Sequence, residues 1–163
     1  MSHRLIAVVA TMTLLHPAGS GAHTLTENDG NDKAGKFDIT RTGLEHPGDL
    51  VIGTVVSGNL QKSDFTGDNY FLWSLDTRGD GDLDYSVFLE ARRQNGRLRM
   101  RCFILRHDDP PVYEGSVRGK IDGRRGSCRL RPGRVGGLPE HWNSTTSYNM
   151  NMDYAPNKGR FDH

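Results

Sequence analysis

The stretch Leu72–Ala91, "LWSLDTRGDGDLDYSVFLEA", sets four aspartates and two glycines between two apolar runs. Short apolar runs bounded by Asp and Gly read as strands, and the polar segment between them as their connection. Gly reaches positive φ at little cost and Asp bonds its own backbone, so both residue types suit such a turn. Just beyond it, "RLRMRCFIL" (Arg97–Leu105) alternates: Leu98, Met100, Cys102 and Ile104 fall on one face, and Arg97, Arg99 and Arg101 on the other. A period of two is the signature of a half-buried strand. Phe71 and Trp73 share a face by the same rule and are read as core, with Tyr70 opposite.

Working outward, "FDITRTGL", "DLVIGTVVSG", "NYFLWSLD", "DYSVFLEARR" and "PVYEGSVRGKI" also read as strands, separated by breaks such as "EHPG", "SDFTGD", "QNG" and "HDDPP". No segment keeps a 3.6-residue period for three turns. The expectation is an all-β, antiparallel β-sandwich or jelly-roll-like domain over residues 36–163. One further strand is expected around "TTSYNM", followed by an irregular C-terminal tail. "RRGSCRLRPGRVGGLPEHW" is too poor in apolar residues to read as a strand after Cys128. Residues 23–35, polar and rich in Gly, Asn and Asp, are expected to be a disordered lead-in.

Residues 1–22 read as an address. "MSHR" is a small basic start, "LIAVVATMTLL" an apolar run too short for a permanent membrane anchor, and Ser20 and Ala22 fit a small-residue cleavage site. A cleaved signal peptide, secretion and the absence of a transmembrane segment are therefore expected. In an oxidising compartment the only two cysteines, Cys102 and Cys128, are expected to form a disulfide.

"DTRGDGDLD" admits two readings. As a calcium loop, Asp76, Asp80 and Asp84 take positions 1, 5 and 9, Gly81 the sharp turn at 6, and Asp82 offers its carbonyl at 7. Position 3 is Arg78 and position 12 is Val87, where oxygens are wanted. As a plain turn, the clustered carboxylates still need neutralising charge, which Arg78 can supply. Calcium as a structural clip and neutralisation by Arg78 both stay open.

Charge is split along the chain. From Glu27 to Glu90 there are 13 acidic and 5 basic residues; from Arg92 to Arg134 there are 13 basic and 4 acidic. A polyanion-binding face is one consequence. The plainer reading is that basic strands pair beside acidic ones and the charges offset across the sheet. With export expected and formal net charge +1, nucleic acid is not an expected partner.

No nucleophile elbow, zinc-protease motif, P-loop or dinucleotide fingerprint is present. Ser127 beside Cys128 lacks a marked base, the histidines are scattered singly, and a Glu90/Glu114 carboxylate pair cannot be placed from sequence. A non-enzymatic protein is expected. Trp142 and Tyr148, in the polar C-terminal stretch, are the candidates for stacking on a sugar ring; "NST" at Asn143 is a glycosylation sequon.

"FDITRTGLEHPGDLVI", then "FLWSLDTRGDGDLDYSVFLE", the cysteine pair and "DYAPNKGRF" together resemble a group of secreted actinobacterial proteins of unknown function. Those show a D-I-x-R strand, a D-T-x-G-D-G-x-x-D-Y hairpin and a closing D-x-A-P-N-x-G. The layout is more distantly similar to β-sandwich domains of the DOMON and family 9 carbohydrate-binding type. The resemblance covers roughly residues 36–161 and implies a β-sandwich that binds a ligand, with no assigned chemistry. The expected role is a secreted binding module for a carbohydrate or cell-wall polymer. The alternative is a small extracellular structural or protein-partner-binding protein, with a hydrolase ranked below both.

Overall fold

The computed structural model describes residues 23–30, 35–46, 48–156 and 159–163. The signal-peptide segment, residues 1–22, lies outside the described residues. Among the described residues no helix is long and apolar enough to cross a membrane. The elements are β1 (His23–Asn28), β2 (Ile39–His46), β3 (Leu50–Val56), β4 (Tyr70–Asp76), β5 (Tyr85–Gln94), β6 (Arg97–Arg106), β7 (Val112–Asp122), β8 (Arg125–Leu130), β9 (His141–Tyr148), β10 (Asn151–Ala155) and β11 (Phe161–Asp162). Two one-turn 3-10 helices, Lys62–Phe65 and Pro132–Val135, fill connections.

Every pairing is antiparallel, in the order β1-β2-β3-β8-β7-β6-β5-β4-β9-β10, with β11 also on β9. The sheet curls so that its two halves face each other across one core, which is the all-β sandwich the alternation predicts. Strand β7 is the corner. Its residues up to Arg118 pair with β6, and from Gly119 it pairs with β8.

The inward positions of β4, β5 and β6 are Phe71, Trp73 and Leu75; Val87, Leu89 and Ala91; Met100, Cys102 and Ile104, all buried. Facing them, Leu50, Ile52 and Leu130 close the core from the other half. At this core the two halves are also tied by hydroxyls. Thr54 Oγ1 is 3.1 Å from Thr42 Oγ1 and 2.6 Å from Ser144 Oγ, and it accepts the Trp73 indole N–H at 3.0 Å. Buried polar groups are costly unless paired, so this chain of partners fixes how β2 and β3 sit against β4 and β9. Nearby, Ile39 N donates to Asp153 Oδ2 at 2.6 Å and Thr146 Oγ1 to the Phe37 carbonyl at 2.6 Å, joining the start of β2 to β9 and β10.

Cys102 and Cys128 are bonded, with Cα atoms 6.0 Å apart. The bridge links β6 to β8 across β7, and β7 carries glycine where it passes beneath. A Cβ at Gly119 would lie 2.3 Å from Leu89 Cδ1 and 3.1 Å from Cys102 Sγ. At Gly126 a Cβ would lie 2.7 Å from the Phe71 ring. These two glycines allow the corner to close on the core.

Three sequence expectations are corrected. The lead-in is not without structure: His23–Asn28 pairs with Arg41–His46 along its whole length. An edge strand draws on backbone hydrogen bonds from its neighbour and needs little apolar content of its own. Strand β8 exists despite its composition, because its inward positions are Gly126, Cys128 and Leu130. The C-terminal tail is not irregular. It folds back as β10 and β11 on β9, turning through Asn149 and Met150 at φ 52° and 64°.

Candidate functional site

The aspartate hairpin joins β4 to β5, and its four carboxylates do different things. Burial pushes the Asp76 carboxyl up, but N–H bonds from Gly81 and Gly79 (2.9 and 2.7 Å) and the nearby His141 ring outweigh it and hold it below the usual range. Arg160 Nη1 lies 3.3 Å from the same carboxylate. For Asp84, burial is again outweighed. The Thr77 N–H and hydroxyl donate at 2.8 and 3.0 Å, and Arg78 donates from its backbone and guanidinium. Asp80, exposed, caps the Asp82 N–H at 3.0 Å, and Asp82 is also exposed. No three acidic, His or Cys side chains are gathered as a metal site among the described residues. The neutralisation by Arg78 has direct geometry: its guanidinium pairs with Asp84 and lies 3.5 Å from Asp80.

The two sugar-stacking candidates separate. Trp142 is not at the surface. It is fully buried opposite Leu75, with its ring 4.8 Å from Phe161. Its polar neighbours in sequence are largely buried as well: Ser144 and Thr146 share its inward face and are satisfied by Thr54 and the Phe37 carbonyl, which is why composition misled. Tyr148 is half-buried, 4.7 Å from the Phe37 ring, and lines a cleft of about 290 Å³ with Lys36 and Met152. Glu90 and Glu114 do not pair; each bonds its own arginine, Arg92 and Arg106 respectively. Ser86 Oγ and His107 Nε2 are 2.8 Å apart, but Ser86 is buried, and no carboxylate bonds the His107 ring among the described residues.

What the sequence pattern did not single out is the outer face of β4–β7. Register places Leu72, Phe88, Phe103 and Ser116 in one row across four strands. Phe88 is flanked by Tyr70 (centroids 5.7 Å), and Phe103 by Tyr113 (6.4 Å). Tyr113 is 59 % exposed and the other rings are half-buried. The Arg92 guanidinium lies 5.3 Å from the centre of the Phe103 ring. The next row is Glu90, Arg101, Arg118, and the one after it Arg92, Arg99. Alternation within each strand was readable; that four strands would align their outward aromatics required the register.

At the corner, where β7 leaves β6, Arg99, Arg101 and Arg118 line a groove of about 820 Å³. Its lining includes Lys62, Arg99, Arg101, Arg118, Lys120 and Arg129, with the apolar Met100 and Ile121. The expectation that charges offset across the sheet holds for Glu90 opposite Arg101. It fails at Arg101 opposite Arg118 and Arg92 opposite Arg99, where like charges face each other directly.

No family model matches the chain, and neither curated proteins nor solved structures give a match.

Proposed function

We propose that the protein is an extracellular, non-catalytic binding module for a carbohydrate or cell-wall polymer, held on the outer face of β4–β7. The observation that carries this reading is the aromatic row centred on Phe88 and Phe103. Its rings lie across four strands on an open sheet face, with Tyr113 the most exposed of them. Stacking needs a flat apolar surface with polar groups at its edge, and Ser116, Arg92 and Glu90 supply that edge. The Cys102–Cys128 bridge suits an oxidising compartment. The distant similarity of the sequence layout to carbohydrate-binding sandwiches is in keeping with it.

Polysaccharide pull-down and glycan-array binding test it, with Phe103→Ala and Tyr113→Ala as probes. Retention of at least one polymer by the native protein, reduced about tenfold by either substitution, is the expected result. Retention of none would sink the reading, as would retention that both variants keep in full.

A protein-partner role is favoured by one observation. The edge strand β10 exposes Met152 (41 %) and Tyr154 (46 %) beside Met150 (86 %), a row suited to strand addition.

A further inference from the structure

We infer that the groove at the β6–β7–β8 corner is a polyanion site, so that the polymer bound on the adjoining face carries repeated sulfate or phosphate groups. This rests on the carbohydrate-polymer reading above and narrows its ligand class.

Six cationic side chains converge on the groove, drawn from the Lys62–Phe65 turn, β6, β7 and β8, and no acidic residue lines it. Their existing partners are few. Arg101 donates to Ser116 Oγ, Lys120 bonds Asp122 at 2.9 Å, and Arg129 stands 3.8 Å from Asp49. The side chains of Lys62, Arg99 and Arg118 make no hydrogen bond or ion pair with any described residue. The sheet register sharpens the point. Arg101 lies directly opposite Arg118, a placement that costs stability in the free protein and is repaid when an anion sits between the two.

Four of the six are arginines, whose planar forks bind tetrahedral oxyanions through two parallel bonds. Lysine-only patches would favour point-charge contact with any anion. Arg101 and Arg118 belong to both regions. They line the groove, and along their strands they are two residues from Phe103 and Ser116 of the aromatic row. A chain whose rings stack on Phe103 therefore passes its charged substituents over the arginines. Rings and anions at that spacing favour a charged polysaccharide over a membrane surface. The expected export, with the disulfide, disfavours nucleic acid.

The probes are dextran sulfate, uncharged dextran and single-stranded oligothymidylate, titrated against the native protein at several salt concentrations. Arg99→Gln/Arg118→Gln removes two charges that hold nothing in the fold, and Arg41→Gln removes one exposed charge from β2, away from the groove. Dextran sulfate should bind more tightly than dextran and weaken steeply with salt, as counterion release requires. The double variant should lose about tenfold or more in affinity and show a shallower salt dependence, while Arg41→Gln stays within about twofold of native. Binding of dextran sulfate unchanged in the double variant overturns the groove. So does an equal loss in Arg41→Gln, which would mean bulk charge alone, or tighter binding of oligothymidylate than of dextran sulfate at matched salt. Dextran binding that depends on Phe103 while the groove variant changes nothing would leave the carbohydrate reading standing and remove only the charged ligand.

Discussion

The aspartate hairpin and the arginine corner carry opposite charge, and the fold treats them in opposite ways. At the hairpin, Asp76 and Asp84 are turned inward and take up backbone N–H groups, a hydroxyl and the Arg78 guanidinium. Charge there is spent on holding a turn. At the corner, Arg99 and Arg118 hold nothing, and Arg101 faces a second arginine across the strand pair. A charge cluster satisfied by its own chain is architecture. One that the chain leaves unsatisfied, beside a groove and an aromatic row, is a surface kept for something else.

That contrast is broken most severely by removing what holds the corner together. Replacing Cys102 and Cys128 by alanine releases β6 from β8 around β7, and should cost about 3 kcal/mol by the loop-closure relation. Chemical denaturation under non-reducing conditions measures it. A loss below about 1 kcal/mol would mean that the like charges at the corner are held by packing alone.

Next comes the paired substitution that defines the contrast. Asp84→Ala strands the Thr77 and Arg78 N–H groups and should cost about 2–3 kcal/mol. Arg99→Gln/Arg118→Gln should leave stability within about 0.5 kcal/mol of native, with a gain more natural than a loss because repulsion is relieved. Equal losses at the two places would erase the distinction.

Acid sharpens it further. The folded carboxyls of Asp76 and Asp84 sit below their ordinary values, so the stability they add is complete above the unfolded carboxylate pKa. It is lost as pH falls through their lower folded values. Amide hydrogen exchange should show residues 77–84 opening on acidification before the β6–β7 pairing does. Calcium gives the smallest effect expected. With Asp76 and Asp84 engaged internally, millimolar calcium should leave the melting midpoint where excess chelator leaves it. A calcium clip binding at 10⁻⁴ to 10⁻³ M would instead add about 1.4 kcal/mol at tenfold excess over its dissociation constant.

How much of this was legible in the chain follows from which signals are local. Period-two alternation in "RLRMRCFIL" and the turn chemistry of "DTRGDGDLD" are local, and β4, β5 and β6 fall within a residue or so of where those patterns place them. Strand β8 escaped because two of its three inward positions are glycine and cysteine, and glycine at 126 is required by the Phe71 ring on the far side of the core. Strand β1 escaped because an edge strand borrows its stability from the strand beside it. Trp142 was misplaced by its polar neighbours, because the next inward positions of β9 are Ser144 and Thr146, buried hydroxyls that bond Thr54 and the Phe37 carbonyl. Part of the arginine corner was visible as a basic run, but not that Arg101 would stand opposite Arg118. Register, which is non-local, decides that.

The central claim is that ligand meets the outer face of β4–β7 and not the hairpin. Backbone amide chemical shifts followed during titration with a soluble sulfated oligosaccharide test it most directly. The predicted result is perturbation grouped on Phe88, Arg99–Phe103 and Ser116–Lys120, with residues 77–83 unmoved. Perturbation centred on residues 77–83, or on the β10 edge, would contradict it.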